Sequence, residues 1–411
     1  MQILHTADVH LDRAFSGVGM TSSMAAARRE ELRDALRRFV DLALELRVDA
    51  VTIGGDLYEH ERSTLDTGNF LRGQFARLGE VPVLIATGNH DPYVADSLWR
   101  RVDWPANVRV FGAPGFRAFR LPSPAHERGA EVEGSGQGPD PQFSPRAIGS
   151  EVTVWAAGHD GPELRQNLLE GFEVPREGPD GQGTHLLLFH GSDLSCVPEG
   201  KRAHCGFWPE DVERTGAAFA LLGHYHGARV SAFMAYPGSP EALDFSETGA
   251  QTGDRPAEHY VLRLEIDESA ARADAVRPYM IPFGKVRYET RRLDVSAATT
   301  SDDLRAAVAM VGDTGAIVRI VLEGQLQPEV DLDVRALYNA CAERFRYLDL
   351  VDRTEPAWVL EELALESTTK GAFVRRMQGR IESAMGTERE TAELALRMGL
   401  QAFDRREVTV P

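Results

Sequence analysis

Five short apolar runs in the first half of the chain share one plan: each is rich in aliphatic residues and ends in a cluster of Gly, Asp, Asn or His. They are Gln2-Ile-Leu-His-Thr-Ala-Asp8-Val-His10, Ala50-Val-Thr-Ile-Gly-Gly-Asp56, Val81-Pro-Val-Leu-Ile-Ala-Thr-Gly-Asn89-His90-Asp91, His185-Leu-Leu-Leu-Phe-His190-Gly and Phe219-Ala-Leu-Leu-Gly-His224-Tyr-His226. Runs of this kind read as buried strands, and the polar cluster after each reads as the loop at its carboxyl end. Between the early runs, Leu32, Leu36, Phe39, Ala43 and Leu46 recur at helical spacing, and Leu65, Phe70, Leu71, Phe75 and Leu78 form a looser second helix. Strand, helix, strand predicts an α/β sheet, whose ligands sit outside its carboxyl edge. The polar clusters are therefore expected to converge at one place.

Further along, Leu121 to Ser150 is rich in Gly, Pro and Ser, which reads as an insertion or surface loop, and Gly178-Pro-Asp-Gly-Gln-Gly is a shorter stretch of the same kind. After Val230 the pattern turns strand-rich through Ala235-Tyr-Pro-Gly-Ser-Pro-Glu and His259-Tyr-Val-Leu-Arg-Leu-Glu-Ile, closing a first domain, residues 1–281. Residues 282–353 alternate again. A strand from Lys285 is followed by a helix near Asp302 to Met310, a strand from Ala316, a helix near Val334 to Glu343 and a strand from Phe345, which together predict a small α/β cap. Residues 354–411 hold a linker and two helical stretches of mixed charge, Gly371 to Ala384 and Glu388 to Phe403. Their apolar positions include Phe373, Met377, Ile381, Leu394, Leu396 and Leu400. Such helices either pack on their own domain or present an apolar stripe to a partner.

With 411 residues and 43% hydrophobic content the chain can bury a full core. No apolar run approaches the roughly 18 to 20 residues a membrane helix needs, and the opening Met1-Gln-Ile-Leu-His-Thr lacks the basic and apolar regions of a signal peptide. A cytoplasmic protein with no membrane contact is expected. Cys196, Cys205 and Cys341 include no C-x-x-C pair and are expected to be reduced thiols. The formal charge of -18 is unlike that of a protein holding nucleic acid by general attraction. A phosphate-rich substrate must therefore be held locally, and metal ions can reverse the field inside a carboxylate-rich site.

The loop clusters supply donors for such ions. Phosphodiester hydrolysis near neutral pH needs a nucleophile, neutralised phosphate oxygens and help for the leaving group, and two divalent metals about 3.5 to 4 Å apart can meet the first two needs. Asp8 and His10 offer two ligands on one turn. Asp56 follows two glycines that permit a tight backbone and suits a position bridging both ions. Asn89 adds a carbonyl oxygen, His190 an imidazole, and His224 and His226 two more. These seven N and O donors favour manganese first, then iron or zinc, with magnesium also compatible. Any one motif alone is weak, since Asp-x-His occurs by chance and Gly-Asn-His-Asp can be an ordinary turn. Five in order, each behind an apolar strand, carry the reading.

Asp8-x-His10, Gly55-Asp56-Leu-Tyr, Gly88-Asn89-His90-Asp91, His190-Gly and Gly223-His224-x-His226 resemble the five signatures of the calcineurin-like metallophosphoesterases. Gly-Asp-Leu-Tyr, the closing Gly-His-Tyr-His and Tyr236-Pro-Gly-Ser-Pro-Glu241 further resemble the bacterial SbcD-type nucleases and their YhaO-like relatives. The resemblance implies a two-sheet α/β sandwich followed by a cap and C-terminal helices. It implies one metal on Asp8, His10, Asp56 and His226, and a second on Asp56, Asn89, His190 and His224. It makes His90 a catalytic group facing the scissile phosphate, with Asp91 fixing its ring. It also implies manganese-dependent exonuclease and endonuclease action on DNA in end processing and repair, a homodimer, and an SbcC-like SMC-type ATPase partner. The alternatives on the same fold are a phosphatase or small-molecule phosphodiesterase and a scaffold that only binds DNA ends.

Other polar residues carry plainer expectations. His5 and His185 read as satisfied core histidines, and His126, His159, His204 and His259 as surface or loop positions. His60 reads as a solvated loop residue or a substrate contact, Asp12 and Arg13 equally as solvated loop residues or groups that position substrate, Tyr225 as either a stacking platform or packing, and Arg28-Arg29, Arg37-Arg38, Arg100-Arg101 and Arg291-Arg292 as solvated pairs or phosphate contacts.

Overall fold

The computed structural model describes residues 1–16, 20–121, 152–175, 183–197, 202–247, 258–327 and 330–403. The two Gly-rich stretches and His126 lie almost wholly outside them. The chain forms two compact units, one of Met1–Glu289 with Gly315–Ile317 and one of Thr290–Thr314 with Val318–Pro411.

Two six-stranded sheets make up the first unit. One is built on β1 (Gln2–Thr6), β2 (Ala50–Ile53), β3 (Val83–Ala86) and β4 (Val108–Phe111), all parallel, and is extended beyond β1 by two antiparallel strands. The other runs from β5 (Arg117–Leu121) through β6 (Val152–Ala156), β7 (Thr184–His190) and β8 (Phe219–Gly223), to β9 (Arg229–Val230) and β10 (Met234–Tyr236) at its far edge. The strands that extend the first sheet are β11 (Tyr260–Ile266) and β12 (Val276–Pro282).

Alternation along the strands decides the layers. Ile3, Ala50, Leu84 and Ala86 meet Val152, Val154, Leu186, Leu188, Phe219 and Leu221 in a core between the sheets. Leu4, Val51, Ile53, Val83 and Ile85 face the other way and are covered by two helices, α1 (Ser22–Leu46) and α2 (Leu65–Ala76). The predicted stripe Leu32, Leu36, Phe39 and Ala43 is the buried face of α1, whose first turn is capped by the Thr21 hydroxyl accepting from Met24 N. Leu187, Phe189, Ala220 and Leu222 line the outer face of the second sheet, against Phe207, Leu168 and Val212. Short helices α3 (Leu98–Arg101) and α4 (Pro209–Arg214) complete the covering. This is the two-sheet α/β sandwich that the resemblance implied.

At the carboxyl ends of β2 and β8 the sheets come into backbone contact. A side chain on Gly223 would put its Cβ 2.2 Å from Gly54 O, and one on Gly54 would sit 2.9 Å from Gly223 N. No residue larger than glycine fits between them, so the loops that follow are forced together.

The second unit contains β13 (Arg287–Asp294), which begins in the first unit, with β14 (Ala316–Leu326) and β15 (Tyr347–Pro356) in one three-stranded sheet. Helix α5 (Ser301–Met310) starts at a capping box of Thr300 and Asp303, and α6 (Val334–Cys341) starts at Asp333. After α7 (Leu360–Leu365) come α8 (Thr369–Ser383) and α9 (Thr387–Phe403), where Val374, Leu396 and Leu400 pack with Phe373, Met377 and Ile381. The apolar positions of the terminal helices are thus largely used in holding these helices to one another.

Replacing Gly223 by Ala is expected to cost about 1 to 3 kcal/mol of stability, the usual penalty for overpacking. Urea unfolding would show this as a lower midpoint at unchanged slope; an unmoved midpoint would mean the sheets separate freely there.

Candidate metal centre

Loops after β1, β2, β3, β7 and β8 meet at the end of the sandwich where Gly54 touches Gly223, and they bring all seven predicted donors together. The backbone is bent to do it. Asp8, His10 and Asp56 have φ of 54°, 51° and 51°, and His224 has 117°, values that L-residues rarely adopt and that cluster at functional sites. Gly55 has φ 94°, and a Cβ there would lie 2.6 Å from His190 Nδ1. Hydrogen bonds from Asp8 N to Gly55 O and from His10 N to Asp56 O fasten the first two loops together.

Buried carboxylates hold the remaining loops. Asp91 is fully buried, and its two oxygens accept from Asp56 N at 3.0 Å, Leu57 N at 2.9 Å and Gly88 N at 2.6 Å. Asp8 likewise accepts from His224 N at 3.0 Å, tying β8 to β1.

Three of the four donor imidazoles have their outer nitrogen engaged by an oxygen acceptor. His10 Nδ1 meets Glu59 Oε1 at 2.8 Å, His226 Nδ1 meets Glu247 Oε1 at 2.7 Å, and His190 Nδ1 meets Gly54 O at 2.8 Å. In the neutral ring those contacts place the proton on the outer nitrogen and leave the inner one as a lone pair. The inner nitrogens then face other acceptors. His10 Nε2 lies 3.2 Å from His226 Nε2, while His190 Nε2 lies 3.0 Å from Asn89 Oδ1, 3.3 Å from His224 Nδ1 and 3.4 Å from Asp56 Oδ2. Lone pairs converging on lone pairs and carboxylates fit cations between them. Three groups have ligand atoms all within 4.8 Å of one another: Asp8 with His10 and His226, His10 with Asp56 and His90, and Asp8 with Asp56 and His190. The cluster can hold metal ions, and Asp56 and Asp8 lie at its centre.

Electrostatics divide the donors of the metal-free cluster. Burial opposes ionisation of Asp56, but the neighbouring His190, His10 and His90 hold it well below the usual carboxylate range. Burial pushes Asp8 the opposite way. Burial and the field of His190 push His224 down to about 2, and burial lowers His10, so both stay neutral. Burial opposes charging of His190 and His226, but Asp56 lifts the first to about 9 and Glu247 raises the second, so each would give up a proton to a bound cation.

His90 stands at the mouth, its side chain 44% exposed. The expectation that Asp91 fixes its ring is corrected here: the Asp91 oxygens serve three backbone N–H groups, and the partner of His90 Nδ1 is Glu59 Oε2 at 2.8 Å. Glu59 therefore holds both His10 and His90. It stands three residues after Asp56, and its acidic side chain directly behind the Gly-Asp-Leu-Tyr motif was the available signal. Glu247 is the other residue the motifs did not reveal.

The remaining histidines divide. His5 is buried between Thr52 Oγ1 and Leu222 O, and His185 is a buried strand residue, as expected. His159 stands in a loop but not at the surface: it is fully buried, with Nε2 2.9 Å from His190 O and its ring 5.4 Å from that of His190. His259 is buried as well, against Ser239. His204 is half-buried, its ring 5.6 Å from that of His224. Tyr225 packs on Tyr236 and donates to Asp193 O. Asp12 receives Thr67 Oγ1, Arg13 pairs with Asp244, and His60 sits 3.4 Å from Asp96. Arg28 and Arg38 serve the fold, donating to Ala242 O and to Phe283 O with Glu241.

A family model described as calcineurin-like phosphoesterase matches residues 1–228, more than half of the chain. The chain belongs to the calcineurin-like phosphoesterase family. Among its relatives is YhaO of Bacillus subtilis, a metallophosphoesterase 27% identical over 61% of this chain and 55% of its own length. The DNA double-strand break repair protein Mre11 of Methanopyrus kandleri is 24% identical over 90% of this chain and 77% of its own, and Mre11 of Aeropyrum pernix is 27% identical over 60% and 55%. The chain thus spans about half the length of two of these relatives. No helix among the described residues is long and apolar enough to cross a membrane.

In the metal-free protein, burial opposes charging of His90, but its bond to Glu59 and the field of Asp56 lift its pKa to about 9. The ring is then charged until the pH rises through that value. Glu59→Gln is expected to bring it back toward about 6.5, the ordinary histidine value. NMR titration of the ring proton would show this, and an unchanged titration would remove Glu59 as the group that charges His90.

Proposed function

We propose that this protein is a two-metal nuclease that hydrolyses phosphodiester bonds in DNA. The observation that carries the reading is the convergence of seven N and O donors, from five motifs in family order, with inner imidazole nitrogens facing one another at 3.2 and 3.3 Å. One ion would be held by Asp8, His10, Asp56 and His226, the other by Asp56, Asn89, His190 and His224. Seven hard and borderline donors without sulfur make Mn2+ the first candidate. When bound, the ions supply a nucleophile at neutral pH and neutralise the phosphate oxygens.

The chain's own residues do the rest. Asp91 keeps the loops after β2 and β3 in register, so that Asp56 stands between the two histidine pairs. His90, exposed at the mouth and held through Nδ1 by Glu59, presents Nε2 to the leaving oxygen as a proton donor. DNA rather than a small ester or phosphoprotein is favoured by the likeness to Mre11 along 90% of this chain, which reaches past the catalytic unit. The same likeness, with the SbcD-type motifs, supports the second unit as a DNA-binding cap, a homodimer, and an SbcC-like SMC-type ATPase as partner.

Purified protein with Mn2+ is expected to cleave end-labelled linear DNA. Asp56→Ala is expected to abolish cleavage and leave fewer than two ions per chain. His90→Asn is expected to lower kcat by about 10²- to 10⁴-fold, the usual contribution of a general acid, at unchanged metal content. Turnover of small phosphate esters with indifference to DNA would instead assign the site to a phosphatase.

A further inference from the structure

The segment between β10 and β11 includes the Tyr236-Pro-Gly-Ser-Pro-Glu241 motif, and it performs two tasks a few residues apart. At one end it supports the metal centre. Glu247, on a short turn over Phe245–Glu247, is 7% exposed and places Oε1 2.7 Å from His226 Nδ1. Its Oε2 accepts from Leu243 N at 2.8 Å, so the carboxylate is fixed by the loop itself. Ser239 N donates to His226 O at 3.0 Å, and a Cβ on Gly238 would lie 2.5 Å from that oxygen.

At the other end the same segment grips the chain on its way to the second unit. Glu241 is 1% exposed and accepts from Lys285 N at 2.8 Å and Val286 N at 2.7 Å through Oε1, and from Arg38 at 2.9 Å through Oε2. Arg38 also donates to Phe283 O at 2.7 Å and lies 4.4 Å over the Phe283 ring. Phe245, two residues from Glu247, meets Tyr288 edge to face at 4.9 Å. Arg28 donates to Ala242 O and lies over the Tyr288 ring at 5.6 Å. Tyr288 is on β13, the strand that continues into the second unit.

We propose that Glu247 is the positioning residue of His226 and that residues 283–288 set its place, so that displacement of β13 alters one of the two metal sites and spares the other. The inference rests on the two-metal reading above. Glu247 and Leu243 N lie on a loop that Phe245 ties to Tyr288 of β13 and that Glu241 ties to Lys285 and Val286 just before that strand. A pull on Tyr288 moves Phe245, and Phe245 shares its turn with Glu247. Losing the Glu247 contact frees the His226 ring to turn its Nε2 away from His10. The donors Asn89, His190 and His224 meet one another and are held by Gly54, Asp56 and Asp8. A regulator that loads the second unit would act through this route as a change in metal occupancy.

The experiment is Mn2+ binding by calorimetry on the full chain, for wild type, Glu247→Ala, Glu247→Gln and Tyr288→Leu, with thermal unfolding of each to confirm the fold. Wild type is expected to bind two ions per chain. Glu247→Ala is expected to weaken one by about 10- to 100-fold, the usual effect of removing a partner of a ligating histidine, and to leave the other unchanged. Glu247→Gln retains an acceptor and is expected to recover most of that loss. Tyr288→Leu is expected to weaken the same ion by about 5-fold or more, at the lower end of measured couplings. Wild-type affinities for both ions in Glu247→Ala would overturn the positioning role, and wild-type affinities in Tyr288→Leu would overturn the link to β13. Fewer than two ions on the wild type would overturn the two-metal reading instead. Glu247 would then be judged by the nitrogen NMR shifts of His226 in metal-free protein at alkaline pH. A proton fixed on Nδ1 in wild type and redistributed in Glu247→Ala supports its role, and no difference between them overturns it.

Discussion

The Asp91 carboxylate is the interaction on which the rest of the site depends. A buried carboxylate is costly unless several donors compensate it, and Asp91 is met by three backbone N–H groups from two different loops. Two of those groups, Asp56 N and Leu57 N, belong to the loop after β2, and the third, Gly88 N, to the loop after β3. The bond therefore fixes the left-handed backbone at Asp56, and with it the direction of the Asp56 side chain. Asp56 in turn accepts from His90 N at 2.8 Å, which seats the residue at the mouth. A short-range motif, Gly-Asn-His-Asp, thus organises groups that lie far apart in the chain. The Asp8 bond to His224 N does the same work between β1 and β8.

Much of this was legible in the sequence, and the reason is physical. Strands buried on both faces leave continuous apolar runs, and the five runs that end in polar clusters are β1, β2, β3, β7 and β8. The helix stripe Leu32, Leu36, Phe39, Ala43 was equally plain because α1 is long and has one buried face. The edge strands β4 and β5 were not anticipated. Val108–Phe111 and Arg117–Leu121 are short, half-exposed and rich in arginine, so no apolar run marks them.

In the site, the donors were legible and their supports were not. Asp8, His10, Asp56, Asn89, His190, His224 and His226 announce themselves by composition and spacing. Glu59 and Glu247 are single acidic residues in a chain with 63 of them, and only the fold brings each within 2.8 Å of an imidazole. The role expected of Asp91 illustrates the same limit. The resemblance made Asp91 the partner of the His90 ring, but the turn points the carboxylate inward to the backbone and leaves the ring to Glu59. His159 does stand in a loop, as expected, but a loop residue can be fully buried when it packs against the end of a strand.

The net charge of -18 acquires a specific meaning once the supports are placed. Asp8, Asp56, Glu59 and Glu247 all lie within one or two contacts of the clustered imidazoles, which makes the mouth a site for cations before it is a site for anything else. An anionic backbone is repelled from such a surface until cations reverse the local field. Metal binding would then precede substrate binding, as a matter of electrostatics and not only of chemistry. Arg28, which is buried, and Arg38, which is half-buried, are committed to backbone oxygens and carboxylates of the fold. These arginines hold the frame, and attraction for phosphate would be left to the ions that the cluster can hold.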